Sequence, residues 1–199
     1  MTDLDGEQQM MIRSIGRHAM AATAVIALGG TTAVAAQEPA RASDFSAAYT
    51  CTVPVLGSRP VVIYGSLTAT PERTVAGQPI RFHLRISRLS LQSPVSIDSW
   101  TAVAGIEVSG AQRSAFRVAG SGGSLAPRQP VSGDLYGSWT PRVRGLDRFR
   151  GANVVISARV ARLGLLTAAC RPNAPRPVME TVGVFSSYRA ARLQDGQDV

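Results

Sequence analysis

Past residue 48 no stretch of ten residues keeps a helical repeat, while short runs rich in Val, Ile, Thr and aromatics alternate with Gly and Pro. A packed helix needs apolar residues every three to four positions, and a half-buried strand needs them at every second position. The run from Ile80 to Leu91 is the clearest case: Phe82, Leu84 and Ile86 fall on one face, and Arg81, His83 and Arg85 on the other. Further runs of strand character are Tyr49–Val53, Val61–Thr70, Ile97–Val108, Ser114–Ala119, Val131–Trp139, Asn153–Val160, Leu163–Cys170 and Val178–Phe185. Gly105 interrupts one of them, where a bulge is expected. Pro71–Pro79 reads as a turn, and Gly120–Ser124 as a flexible loop. The pattern predicts an all-β chain, specifically an immunoglobulin-like antiparallel β-sandwich of about seven to nine strands.

The first 35 residues have the character of a secretion signal. Arg13 and Arg17 precede an apolar stretch from Ala19 to Leu28, and Ala33-Val34-Ala35 offers the small residues of a cleavage site. Asp3, Asp5 and Glu7 are out of character for such a leader, and a start at Met10 or Met11 would remove them. A retained N-terminal anchor is the other reading of the same stretch. The chain then divides into a signal peptide (1–35), a linker (36–47), a sandwich domain (48–186) and a flexible tail (187–199). No second apolar stretch approaches the roughly 20 residues of a membrane-spanning helix, so no transmembrane span is expected in the mature chain.

Only two cysteines exist, Cys51 and Cys170, and both follow the leader. An even pair in an exported chain reads as a disulfide, here closing a loop of about 120 residues. All 21 basic residues are Arg, in a chain of net charge +8. Without the leader, 19 Arg face 10 acids, giving +9. Arg binds phosphate and carboxylate better than Lys does, although a GC-rich coding sequence also explains the absence of Lys. Two clusters are candidate anion sites: Arg81, Arg85 and Arg88 along one strand, and Arg142, Arg144, Arg148 and Arg150 around Gly145. A solvated outer sheet that deters edge pairing is the commoner reason for such clusters. Aromatics are not interleaved with these Arg as single-stranded nucleic acid would require, so no nucleic-acid partner is expected.

Catalytic and metal chemistry find little support. The one histidine of the mature chain, His83, sits between two Arg on a predicted outer face, and no spacing joins it to a Ser and to Asp98 as a triad. Asp98, Glu107, Asp134 and Asp147 are candidate glycosidase carboxylates by number alone. No cofactor motif and no metal-ligand spacing is present. Trp100, Trp139 and Tyr136 could stack on a sugar, but core packing is the commoner use of Trp in a small β domain.

The order Tyr49-Thr50-Cys51-Thr52-Val53-Pro54-Val55-Leu56-Gly57, then Cys170-Arg171-Pro172 and Thr181-Val182-Gly183-Val184-Phe185, carries a likeness. It resembles an uncharacterised family of secreted actinobacterial domains with a Tyr-x-Cys-x-x-Pro-x-x-Gly opening and a distant Cys-x-Pro. The resemblance implies a secreted sandwich with one disulfide, and it transfers no catalytic residue. The expectation is a secreted, non-enzymatic interaction module, free or at the cell surface. Its partner would be an anionic envelope polymer or a surface protein, met by Arg-rich faces. An extracellular hydrolase acting on cell wall or polysaccharide is the alternative.

Overall fold

Alternation of buried and exposed residues runs through the described strands and gives each an inward and an outward face. The computed structural model describes residues 43–54 and 56–186. The predicted leader, residues 36–42 of the linker and the predicted tail lie outside the described residues. Ten strands follow in order: β1 (Ser43–Val53), β2 (Gly57–Thr70), β3 (Arg73–Val75), β4 (Ile80–Leu89), β5 (Ile97–Gly110), β6 (Ser114–Gly122), β7 (Gly133–Trp139), β8 (Gly145–Val160), β9 (Gly164–Pro172) and β10 (Val178–Phe185). No helix long and apolar enough to cross a membrane occurs among the described residues. The protein is all-β, with one disulfide joining Cys51 and Cys170.

The pairing differs from two separate layers of seven to nine strands. All ten strands belong to one sheet, ordered β3-β10-β8-β5-β6-β7-β4-β2-β1-β9, and β9 returns to pair with β8. Eight strands, β8-β5-β6-β7-β4-β2-β1-β9, therefore form a closed antiparallel circuit. The cause is the length of β8. One edge of β8 pairs with β5 along nearly its whole length. The other edge is shared, by β10 along residues 145–150 and by β9 along 154–160. One-sided burial shows that a strand has a wet face, but it does not say which strands pair or how far they extend. Eight strands enclose an interior just wide enough for side chains or one small ligand.

Other boundaries also move. β1 begins at Ser43, inside the predicted linker, because Ala47 and Tyr49 continue its buried face. β8 begins at Gly145, eight residues before the predicted start. Gly120–Gly122, read as loop, complete β6, and the predicted Pro71–Pro79 turn contains β3. The bulge at Gly105 is present as a register shift between Ala104 and Ile106. The β8–β9 hairpin turns where expected, at residues 161–163.

Two seams complete the circuit. At the first, β1 and β9 pair over four residues, from Tyr49↔Pro172 to Thr52↔Ala169, and the disulfide lies within this short ladder. At the second, β6 meets β7 at the single pair Ala119↔Tyr136. Two glycines allow that approach: a Cβ on Gly120 would lie 2.1 Å from the Asp134 carbonyl oxygen, and one on Gly137 would lie 2.4 Å from that of Arg117.

The interior is filled unevenly. Phe82, Phe116, Trp139 and Phe149 pack with neighbouring ring centroids 4.7–6.4 Å apart. They come from the starts of β4, β6 and β8 and the end of β7, so they plug one end of the circuit. Trp100 occupies the β5-β6-β7 side of the other end and is 3% exposed. Asp147 is fully buried near the plugged end, where its carboxylate accepts from the backbone N–H and the side-chain amide of Gln112. Glu180 is also buried; Thr181 N–H donates to its Oε1 at 2.7 Å, while Oε2 has no hydrogen-bond partner.

Two predictions follow from this frame. The Cys51–Cys170 bond closes a separation of 119 residues at a four-pair seam. Replacing both cysteines by Ala should cost about 2–5 kcal/mol, read as a lower denaturant midpoint, and the unreduced protein should resist alkylation. The second concerns Glu180, whose carboxyl is pushed above its ordinary 4.5 by burial and then by the nearby Glu72, against hydrogen bonds from Thr181 and Ala69. Folding therefore favours its protonated form. Its stabilising contribution is complete below pH 4.5 and is lost as pH rises through the elevated value. Glu180→Gln, which keeps the neutral form, should raise the melting temperature at pH 7 and leave it unchanged near pH 4; equal gains at both pH values would contradict the assignment.

Candidate functional site

The end opposite the aromatic plug is open on its β8-β9-β1 side. There the inward positions of β8 and β9 are Ile156, Ala158 and Val160, and Leu166, Ala168 and Cys170. Two of these six are Ala, so the wall recedes here, on the side from which the Trp100 ring turns away to lie over Gly122 and Gly133. The disulfide forms part of the same wall, with Val53 and Pro54 beyond it. Leu89, Leu91, Ile97 and Val131 line the opposite side. The resulting cavity has a volume of about 300 Å³. Among the described residues, its only polar side chains are those of Gln92 and Ser93 at the rim, and no carboxylate, imidazole or guanidinium lines it.

Four connections frame the mouth. The segments 90–96 and 123–132 are tied to each other by bridges Gln92↔Pro130 and Ile97↔Leu125 and by Arg128 N–H donating to the Ser93 carbonyl at 2.7 Å. The Gln129 side chain accepts from Ala126 N–H at 2.9 Å and holds the second loop in its turn. Leu56, after β1, and Leu163, at the β8–β9 hairpin, reach the pocket while remaining exposed. An apolar pocket of this size, framed by ordered loops, falls at the small end of ordinary ligand sites. It is about twice the volume of an engineered cavity that takes benzene.

The anion sites predicted from sequence do not form one surface. Arg81 and Arg85 lie on the outer face of β4, and Arg88 follows a register shift on the same strand, its guanidinium 4.6 Å from the Tyr64 ring centre. Arg148 and Arg150 lie on the outer face of β8, and Arg142 and Arg144 in the loop that precedes it. β4 and β8 are four strands apart in a circuit of eight, so their outer faces point in opposite directions. Within the second cluster Arg150 donates to the Ser109 hydroxyl at 2.7 Å. Nearby, Arg176 pairs with Glu107.

The candidate catalytic groups are dispersed. His83 Nε2 lies 2.7 Å from Asp134 Oδ1, and its ring stacks on Tyr136 at 4.7 Å, all on the outer face of β4 and β7. Asp98 is on β5, three strands from β4, so it does not complete a triad with His83. Of the four carboxylates, Asp134 engages His83, Glu107 engages Arg176, and Asp147 points inward to Gln112. Trp100 and Trp139 are core residues, the latter donating to the Ser114 hydroxyl at 2.8 Å; Tyr136 is 62% exposed. No group of three or more His, Cys, Asp or Glu that could hold a metal ion occurs among the described residues.

The pocket itself was not anticipated from the sequence. The available signal was the distribution of inward side chains: aromatics in the first halves of β4, β6 and β8, and the small Ala158 late in β8 and Ala168 two residues before Cys170. Comparison with known proteins found no family model that matches this chain and no matching curated protein.

Proposed function

We propose that the chain is a secreted, non-enzymatic binding protein whose open-ended β circuit takes a small apolar molecule. The observation that carries this reading is the 300 Å³ pocket, with its aliphatic wall and its disulfide-fixed seam. A disulfide suits an oxidising compartment, which supports export. Membership of the secreted actinobacterial group stands as part of the same proposal. Among the described residues the lining carries no acid or base, and its one hydroxyl, on Ser93, donates to the Val95 carbonyl, which favours capture over turnover. The Arg-face reading is weaker, because its two clusters face opposite ways and Arg150 is already engaged. A hydrolase on cell wall or polysaccharide has less support still, because the candidate carboxylates are spread over separate partners.

Binding can be read with a neutral fluorescent probe, N-phenyl-1-naphthylamine. At about 0.3 kcal/mol per atom over about 17 non-hydrogen atoms, a dissociation constant of a few hundred micromolar or tighter is expected. Saturable one-to-one enhancement that disappears in Ala168→Trp, with the fold retained by circular dichroism, is the predicted outcome. Absence of saturable binding in the folded wild-type protein would refute the pocket's role.

A further inference from the structure

Among the described residues, two non-glycine residues have left-handed backbones: Arg128, with φ of 64°, and Arg162, with φ of 68°. That conformation favours Gly or Asn and is costly for a long side chain. Both are Arg, and both stand at the mouth of the pocket. Arg128 sits in the loop pair that frames it and donates its N–H to Ser93, a rim residue. Arg162 is at the turn of the β8–β9 hairpin, between Val160 and Leu163, which line the pocket. A third Arg joins them by register. Arg59 is directly opposite Cys51 in the β1–β2 ladder, so it projects on the same side as that pocket residue. None of the three enters an ion pair among the described residues. Asp98, beside Ile97, is the nearest acid in sequence to any lining residue.

From this juxtaposition we infer that the pocket binds an anionic amphiphile: one alkyl chain of about ten carbons inside, its carboxylate at the mouth among Arg59, Arg128 and Arg162. The inference deepens the pocket reading and rests on it. An aliphatic wall without internal polar groups selects the chain but cannot orient it. Orientation must come from the rim, where the charge balance favours an anion. Guanidinium groups suit a carboxylate because their paired N–H donors match its two oxygens. Backbone strain held at two rim positions is of the kind that persists where a side chain has a task. The tails do not start beside the mouth either. β1 begins and β10 ends at the plugged end, so the described chain enters and leaves away from the pocket.

The test compares decanoate, decanol and decyltrimethylammonium on the full chain at pH 8, each displacing the fluorescent probe below its aggregation threshold. Decanoate should bind about five- to tenfold tighter than decanol at low salt, as expected of partly exposed ion pairs. The gap should close by about 1 M salt, where screening is nearly complete. The combined Arg128→Gly and Arg162→Gly variant should lower decanoate affinity to near that of decanol and leave decanol unchanged. Gly relieves both left-handed positions, so this variant should fold at least as well as the wild type. Arg81→Gln, on the distant β4 face, should alter neither. Equal binding of decanoate and decanol by the wild type would overturn the carboxylate assignment while keeping the pocket. Failure of all three ligands to displace the probe would instead remove the pocket reading on which it rests. Binding to phosphatidylglycerol vesicles without binding to monomeric decanoate would also overturn it, by making the Arg rim a membrane contact.

Discussion

Everything in this structure depends on how β8 divides its second edge. Had the whole second edge of this 16-residue strand gone to β10, the sheet would have stayed open. Here the first half of the edge goes to β10 and the second half to β9. The second half returns the sheet to β1 and closes eight strands on themselves. Closure removes most of the exposed edges that an open sheet of this length would present. It also creates an inside whose contents are then fixed by strand parity. The β1–β9 seam is the shortest of the joins around this return, and it is the one held by a covalent bond. The disulfide thus reinforces a short ladder, and its cysteines serve as pocket wall as well.

The contents of that inside follow from where the large side chains fall along each strand. In an antiparallel circuit the start of one strand and the end of the next share an end of the barrel. Phe82, Phe116 and Phe149 are early in β4, β6 and β8, and Trp139 is late in β7, so all four converge. Trp100 is early in β5 and goes to the other end. It covers only part of that end, because its ring lies over Gly122 and Gly133 toward β6 and β7, while on its other side β8 and β9 carry the small Ala158, directly paired with Trp100, and Ala168 inward. A plugged end and a recessed end are the outcome of side-chain volume placed by chain direction, and the connections then frame the recess as its mouth.

This also accounts for what the sequence made legible. The alternation around Phe82, Leu84 and Ile86 is local, so strand character, the wet faces and the β8–β9 hairpin could be read directly. The cysteines carried one long-range constraint, and it proved to be a true register pair. Pairing order could not be read, because the first half of β8 has the same alternation whether it meets β10 or stands alone. Gly120 looked like loop because a Gly-Ser run usually is loop, whereas here Gly is what permits the close β6–β7 crossing. Arg81, Arg85, Arg148 and Arg150 lie on outer faces, as alternation suggested, but the opposition of the two clusters across the circuit depends on strand order. The pocket is a property of closure and of missing volume, and no single residue announces either.

The rim shows how charge and strain acquire meaning only after closure. In the linear sequence Arg59, Arg128 and Arg162 are scattered among 18 other Arg and have no motif. Closure brings the β1–β2 turn, the 123–132 loop and the β8–β9 hairpin around one opening. An even sprinkling of Arg from coding bias would place some there by chance. Chance does not explain why the two non-glycine left-handed positions of the described chain are both Arg at that opening, when turn chemistry would favour Gly or Asn. Coding bias cannot supply the reason, since Gly is itself abundant in this sequence and stands at other left-handed turns, including Gly57 and Gly164. Gly164 lies two residues from Arg162 in the same hairpin, so one turn holds both solutions. The position that could have been relaxed and was not is the one beside the pocket.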